Sequence, residues 1–117
     1  MKTRTLDDIA KLDIELSKAF NLAIKSVDNF EETLEKSEDE LKELFQSIYD
    51  IAFNAYSEVN EELPDFYDDY LWNLDDTVTT KDEYSTEEYQ DWLQYYLSEF
   101  AEEISWDIEG ILVDQYE

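Results

Sequence analysis

Carboxylates are the only abundant reactive groups in this chain: 33 Asp and Glu stand against 8 Lys and Arg, and there is no His and no Cys. Without those two residue types, histidine general bases, thiol nucleophiles, zinc fingers, disulfides and Cys-ligated clusters all fall away. Carboxylates can still pair as acid and base in a glycosidase cleft or gather around Ca²⁺. Neither arrangement is specified here. An EF-hand loop needs alternating oxygen ligands, a glycine at its sixth position and a bidentate Glu at its twelfth, and no window supplies them. Among so many acids, a pair in one cleft carries no information, and Asp65, Asp68 and Asp69, or Asp75 and Asp76, would draw divalent ions only weakly. A phosphate-cradling loop needs several glycines, whereas the chain has one. The residues predict no enzyme, no cofactor and no metal centre.

The chemistry that remains is the charge itself. The formal net charge is −25, yet 43% of the chain is hydrophobic and 15% aromatic, with 3 Trp, 9 Tyr and 6 Phe. Disordered acidic tails lack that buriable mass, so a folded core is expected. The charge is uneven along the chain. Residues 1–27 hold Lys2, Arg4, Lys11, Lys18 and Lys25 against Asp7, Asp8, Asp13 and Glu15, whereas residues 28–117 hold all the other acids and only Lys36, Lys42 and Lys81. The near-neutral first segment reads as the element that supports the rest or pairs two copies. In the second, Glu31, Glu32, Glu35, Glu38, Asp39 and Glu43 would span roughly 18 Å on a helix, about one charge per 3.5 Å, close to the roughly 3.4 Å between phosphates along one strand of B-DNA. Further clusters follow at Asp65, Asp68, Asp69, Asp75 and Asp76, and at Glu87, Glu88, Asp91, Glu99, Glu102 and Glu103. Like charges one helical turn apart destabilise a helix, and a net charge of roughly 2 to 8 already keeps a small domain soluble. This acidity exceeds what solubility requires. Its plain readings are solvated helix faces or adaptation to high salt. Crowding also predicts carboxyl pKa values raised on average by folding, and so a fold that gains stability with added salt and as pH falls from 7 toward about 5.

The elements that must carry these groups are helices. One Gly and one Pro leave few breakers, and apolar residues recur at steps of three and four. A cap at Thr5 with Asp8 precedes the stripe Ile9, Leu12, Leu16, Ala19, Phe20, Ala23, Val27. The cap pattern returns at Asp28–Glu31, where the chain bends into a short acidic helix through Leu34. Ser37 with Glu40 precedes the stripe from Leu41 to Val59, and Ser85 with Glu88 precedes Tyr89, Trp92, Leu93, Tyr96, Leu97, Phe100, Ala101, Ile104 and Ile108. The expected fold is a single all-α domain over 1–117, a small acidic bundle of four to five helices near 6–27, 38–60, 65–75 and 86–109. The segment Thr77 to Lys81 is expected to be a loop, and Gly110 a left-handed terminator with Ile111 folding back in a Schellman arrangement. Tyr89, Trp92, Tyr96 and Phe100 are expected in the core, whereas Tyr49, Phe53, Tyr67, Tyr84 and Tyr95 are candidates for exposure; Trp72 and Trp106 fit neither group. No apolar run exceeds three residues, so neither a targeting segment nor a bilayer span is expected, anionic membranes would repel the chain, and a cytoplasmic protein is the default.

Two stretches, FYDDYLWNLDD over 66–76 and DWLQYYLSEFAEE over 91–103, interleave Trp, Tyr and Leu with acids. With the small size, helical pattern and absence of His, they give residues 28–117 a compositional resemblance to the phage anti-restriction DNA mimics of the Ocr type. The resemblance implies an inhibitor, often dimeric, that occupies the DNA-binding groove of a restriction enzyme or other defence nuclease; anti-CRISPR proteins follow the same logic. The partner would be a basic DNA- or RNA-binding protein, with no direct binding of nucleic acid because like charges repel. The competing readings are an immunity protein or antitoxin that plugs one basic nuclease, which would focus a compact patch on a central aromatic anchor, and an acidic scaffold or halophilic protein of other function.

Overall fold

The Thr5 and Ser37 signals both start helices. In a computed structural model, which describes residues 4–113, Thr5 Oγ1 accepts the Asp8 N–H at 3.1 Å while Asp8 Oδ2 accepts the Thr5 N–H at 3.2 Å. Ser37 and Glu40 make the same reciprocal pair, both bonds at 3.2 Å. These boxes satisfy backbone donors that the first helical turn would otherwise leave orphaned. The hydrogen bonds from Ser37 hold the Glu40 carboxyl below its ordinary pKa. Among the described residues there are five α-helices and no strand: α1 (Leu6–Asp28), α2 (Phe30–Leu34), α3 (Glu38–Glu58), α4 (Asp65–Thr79) and α5 (Thr86–Val113), with a 3₁₀ turn at Lys81–Glu83 before α5. The expected single domain over 1–117 reaches past these residues at both ends, since 1–3 and 114–117 lie outside them.

Helix α1 packs against α3 and α5, and α4 packs against the same two helices, so the four long helices close into a ring with α1 and α4 on its diagonal. Their directions follow from side-chain bonds. Arg4, just ahead of α1, grips Glu61, just past α3, through Nε–Oε2 and Nη2–Oε1 contacts of 2.9 and 2.8 Å, so α1 and α3 run oppositely. Tyr56 near the end of α3, Tyr67 at the start of α4 and Asp107 near the end of α5 meet in one hydrogen-bonded group, so α4 opposes both neighbours. The result is an antiparallel up-down-up-down bundle, 48 × 22 × 19 Å overall. Its core is the periodic set read from the sequence, including Leu12, Leu16, Phe45, Ile48, Leu74, Leu93, Leu97, Phe100 and Ile104. Fully burying side chains of this size contributes about 1.5–3 kcal/mol each.

Several expectations are corrected. Thr77–Thr79 is not loop: α4 continues through Thr79, Thr77 and Val78 are buried, and the Thr77 hydroxyl donates to the Asn73 carbonyl at 2.8 Å. Core packing overrides the poor helix preference of the β-branched run, and only Thr80 and Lys81 of that segment lie beyond α4. Gly110 does not end α5, which runs on to Val113, and Gly110 has no positive φ. Ile111 is nonetheless buried. The Schellman motif sits instead at the end of α3, where Asn60 takes the left-handed conformation (φ 57°). There the Glu61 N–H donates to the Tyr56 carbonyl at 3.0 Å and the Asn60 N–H to the Ser57 carbonyl at 3.1 Å. Tyr67, expected at the surface, is fully buried, and Trp92, expected in the core, is 45% exposed. Tyr49 is half-buried, whereas Phe53, Tyr84 and Tyr95 are exposed as read.

Candidate functional site

Helices α4 and α5 hold Asp65, Asp68, Asp69, Asp75, Asp76, Glu87, Glu88, Asp91, Glu99, Glu102, Glu103, Asp107 and Glu109, and neither contains a Lys or Arg. They are ring neighbours, so the outward-facing members of this set stand on two adjacent helices. The seam between the helices is aromatic. Tyr70 of α4 stacks on Phe100 of α5 with centroids 5.4 Å apart and planes 13° from parallel, and Tyr67 meets the same ring edge-on at 5.8 Å. Partial burial raises the Tyr70 pKa first, and the nearby carboxylates of Glu103 and Glu99 raise it further, which puts those acids along the seam.

All three tryptophans are on these two helices, and none is in the core: Trp72 on α4 is 67% exposed, and Trp92 and Trp106 on α5 are 45% and 51% exposed. On α5 the residues Trp92, Tyr95, Glu99, Glu102, Trp106 and Glu109 follow one another in steps of three or four, so they form one stripe on the helix surface. Trp92 stacks on Tyr96 at 5.6 Å and meets Tyr95 edge-on at 6.1 Å, which makes a small exposed aromatic platform at one end of the stripe.

The sequence-predicted acids fall into three places. Asp65, Asp69 and Asp76 of α4 and Glu87, Glu88, Asp91 and Glu102 of α5 are exposed, and Glu99 and Glu103 are half-buried along the seam. Asp75 turns partly inward, and Asp68, though exposed, reaches toward α3. Asp68 Oδ1 accepts the Tyr49 hydroxyl at 2.8 Å, and Asp75 Oδ1 is buried without a hydrogen-bond partner. Burial raises the Asp75 pKa, with Lys42 partly offsetting it. The third group, Glu31, Glu35, Glu38, Asp39 and Glu43, is exposed but does not form the continuous helical ruler expected of it, because α2 ends at Leu34 and the chain turns before Glu38 begins α3. Glu38 instead acts electrostatically on Tyr89 near the start of α5. Sequence reasoning expected exposed aromatics amid the acids but did not place the tryptophans among them: Trp92 was expected in the core, and Trp72 and Trp106 fitted neither group. The missed signal was a tryptophan one turn from acids on both sides, as in Asp68-Asp69-x-x-Trp72-x-x-Asp75-Asp76.

Elsewhere, a depression of about 280 Å³ is lined by Leu22, Lys25, Ser26, Asn29, Thr33 and Lys36, among others. Its two hydroxyls are already committed, Ser26 to the Leu22 carbonyl and Thr33 to the Ser26 carbonyl, each at 2.8 Å. Among the described residues no group of three or more acidic side chains is arranged to hold a metal ion, and no helix is long and apolar enough to cross a membrane. In comparison with known proteins, the chain matches no family model, no curated protein and no solved structure.

Proposed function

We propose that this protein is a DNA-mimic inhibitor that occupies the basic nucleic-acid-binding groove of a DNA-binding protein, a restriction or CRISPR-type defence nuclease being the best fit. One observation carries the reading: two neighbouring helices hold thirteen carboxylates and no cation. From Glu87 to Glu109 the face is roughly 33 Å long, and with Asp75 and Asp107 set aside as inward it presents about one charge per 3 Å, between the roughly 3.4 Å of one B-DNA strand and the roughly 1.7 Å of the duplex. Such a face competes for sites built to take phosphates, and it repels DNA itself. The test is displacement of labelled duplex DNA from a purified restriction or CRISPR nuclease at low and moderate salt. Displacement that weakens steeply with salt supports the reading, whereas binding that leaves the nuclease's DNA affinity unchanged defeats it.

A second reading, an immunity protein or antitoxin for one basic nuclease toxin, draws support from the platform of Trp92, Tyr95 and Tyr96, which has the build of a central anchor. An alanine scan separates the two. Energy spread over many acids belongs to a mimic, and loss concentrated at one or two aromatics belongs to a plug.

A further inference from the structure

The tryptophans are placed against the usual preference. Tyr56, Tyr67, Phe45 and Phe100 are fully buried, while the three largest aromatics all stand in solvent on the two helices without a cation. Their neighbours are specific. On a helix, positions three and four residues away adjoin a side chain above and below. Trp72 has Asp68, Asp69, Asp75 and Asp76 at all four such positions, and Trp106 has Glu102, Glu103 and Glu109 at three. Trp92 has Glu88 on one side and its two tyrosines on the other. Asp68 and Asp75 are partly engaged with α3, which leaves Asp69 and Asp76 beside Trp72. Each exposed ring is therefore an apolar, electron-rich plate with at least one carboxylate a helical turn away. The nearby cation, Lys81, already lies over Tyr89, 5.3 Å from its centroid.

A flat cation with several N–H donors fits this arrangement, and a compact hydrated one does not. A guanidinium group stacks on an aromatic face and forks its donors onto a carboxylate at the rim, whereas an ammonium keeps its water and acts as a point charge. We propose that helices α4 and α5 dock an arginine-rich segment of the partner, with guanidinium groups lying on the exposed tryptophans Trp72, Trp92 and Trp106 and pairing with the carboxylates one turn away. The inference rests on the reading above that the partner is a basic protein, and adds that arginine, not positive charge in general, is what it recognises. Nucleic-acid bases would also stack on tryptophan, but their phosphates would meet the carboxylates, so charge complementarity selects the cationic occupant.

The location of every tryptophan on these two helices, exposed, makes intrinsic fluorescence a direct reporter of docking there. The test titrates the full chain with arginine and lysine homopeptides of equal length at physiological ionic strength. The arginine peptide is expected to bind more tightly by roughly tenfold and to perturb tryptophan emission. In a Trp92→Leu/Trp106→Leu variant, with helicity checked by circular dichroism, that advantage should shrink severalfold while lysine-peptide affinity, followed by calorimetry, stays unchanged. Equal affinity for the two peptides overturns the inference, as does an arginine advantage that survives in a variant lacking all three tryptophans. Sedimentation showing that the tryptophan face pairs two copies of the chain overturns it too. Arginine preference without any displacement of DNA from a nuclease would defeat the mimic reading and leave this inference standing; displacement that ignores the tryptophans would do the reverse.

Discussion

The Tyr56 hydroxyl on α3 lies 2.9 and 2.8 Å from the two carboxylate oxygens of Asp107 on α5 and donates to that group. Tyr67 on α4 donates to the same carboxylate at 3.1 Å, so one acid fastens three helices at the end of the bundle where Arg4 and Glu61 also pair. Replacing it with Ala would strand two buried hydroxyls. Asp107→Ala is expected to cost about 2–4 kcal/mol in denaturant unfolding, and Tyr56→Phe about 1–2 kcal/mol. A change under about 0.5 kcal/mol for Asp107→Ala would show that the group holds nothing together.

Burial raises the carboxyl pKa of both Asp107 and Asp75 above its ordinary value. For Asp107 the hydrogen bonds from both tyrosines and the nearby Arg4 act in the opposite direction without reversing the shift. A raised folded pKa means that the native state holds the proton more tightly than the unfolded chain. These two groups therefore oppose folding once ionised, and the penalty is relieved as pH falls through their folded values. The melting temperature is expected to rise from pH 7 toward pH 5, and to rise with added salt as repulsion among surface carboxylates is screened. Asp75→Asn should raise the melting temperature at pH 7 and lose that advantage as pH falls. A lower melting temperature for the variant at pH 7 would contradict the assignment.

Gly110 lies inside α5 without a positive φ, and a methyl group added there would meet nothing within 4 Å. Gly110→Ala is expected to stabilise the fold by about 0.5–1 kcal/mol, because alanine restricts the unfolded chain and favours the helix. Thermal unfolding checks it, and a destabilised variant would mean that α5 ends where the glycine stands.

For the proposed inhibition, single changes among Asp69, Asp76, Glu99, Glu102 and Glu103 to the matching amides should each weaken DNA displacement by less than about threefold, in keeping with the small worth of one exposed charge. The five together should abolish it. An equal set of five, Glu31→Gln, Glu35→Gln, Glu38→Gln, Asp39→Asn and Glu43→Gln, on the broken stretch from α2 into α3, should have a smaller effect. The opposite ranking would move the contact surface to that end of the molecule.

Much of the fold was legible because local signals agreed: at Thr5 and Ser37 a cap, an acid three residues on and an apolar stripe all pointed to one helix start. The misread points are those where a residue's usual role yielded to its surroundings. Asn60, not the one glycine, took the left-handed cap, because the chain must turn there before Pro64. Periodicity alone put Trp92 with Tyr89 and Phe100, yet at roughly 100° per residue Trp92 stands about 60° around the helix from the first and about 80° from the second, outside the buried stripe. The acid clusters were legible as composition. That α4 and α5 lie side by side was not, since ring order depends on which stripes interlock.

Lys11, Lys18 and Lys25 recur every seventh residue on the exposed surface of α1, and α1 lies diagonally across the ring from α4. The two sides of the bundle consequently differ in charge: α1 sets three lysines against five acids, whereas α4 carries five acids and no cation. Near a cationic surface, within the roughly 8–10 Å over which charges are felt at physiological salt, the field exerts a torque before any atoms touch. For the basic partner proposed above, the expected outcome is that α4 and α5 lead and α1 trails, since those two helices hold no cation.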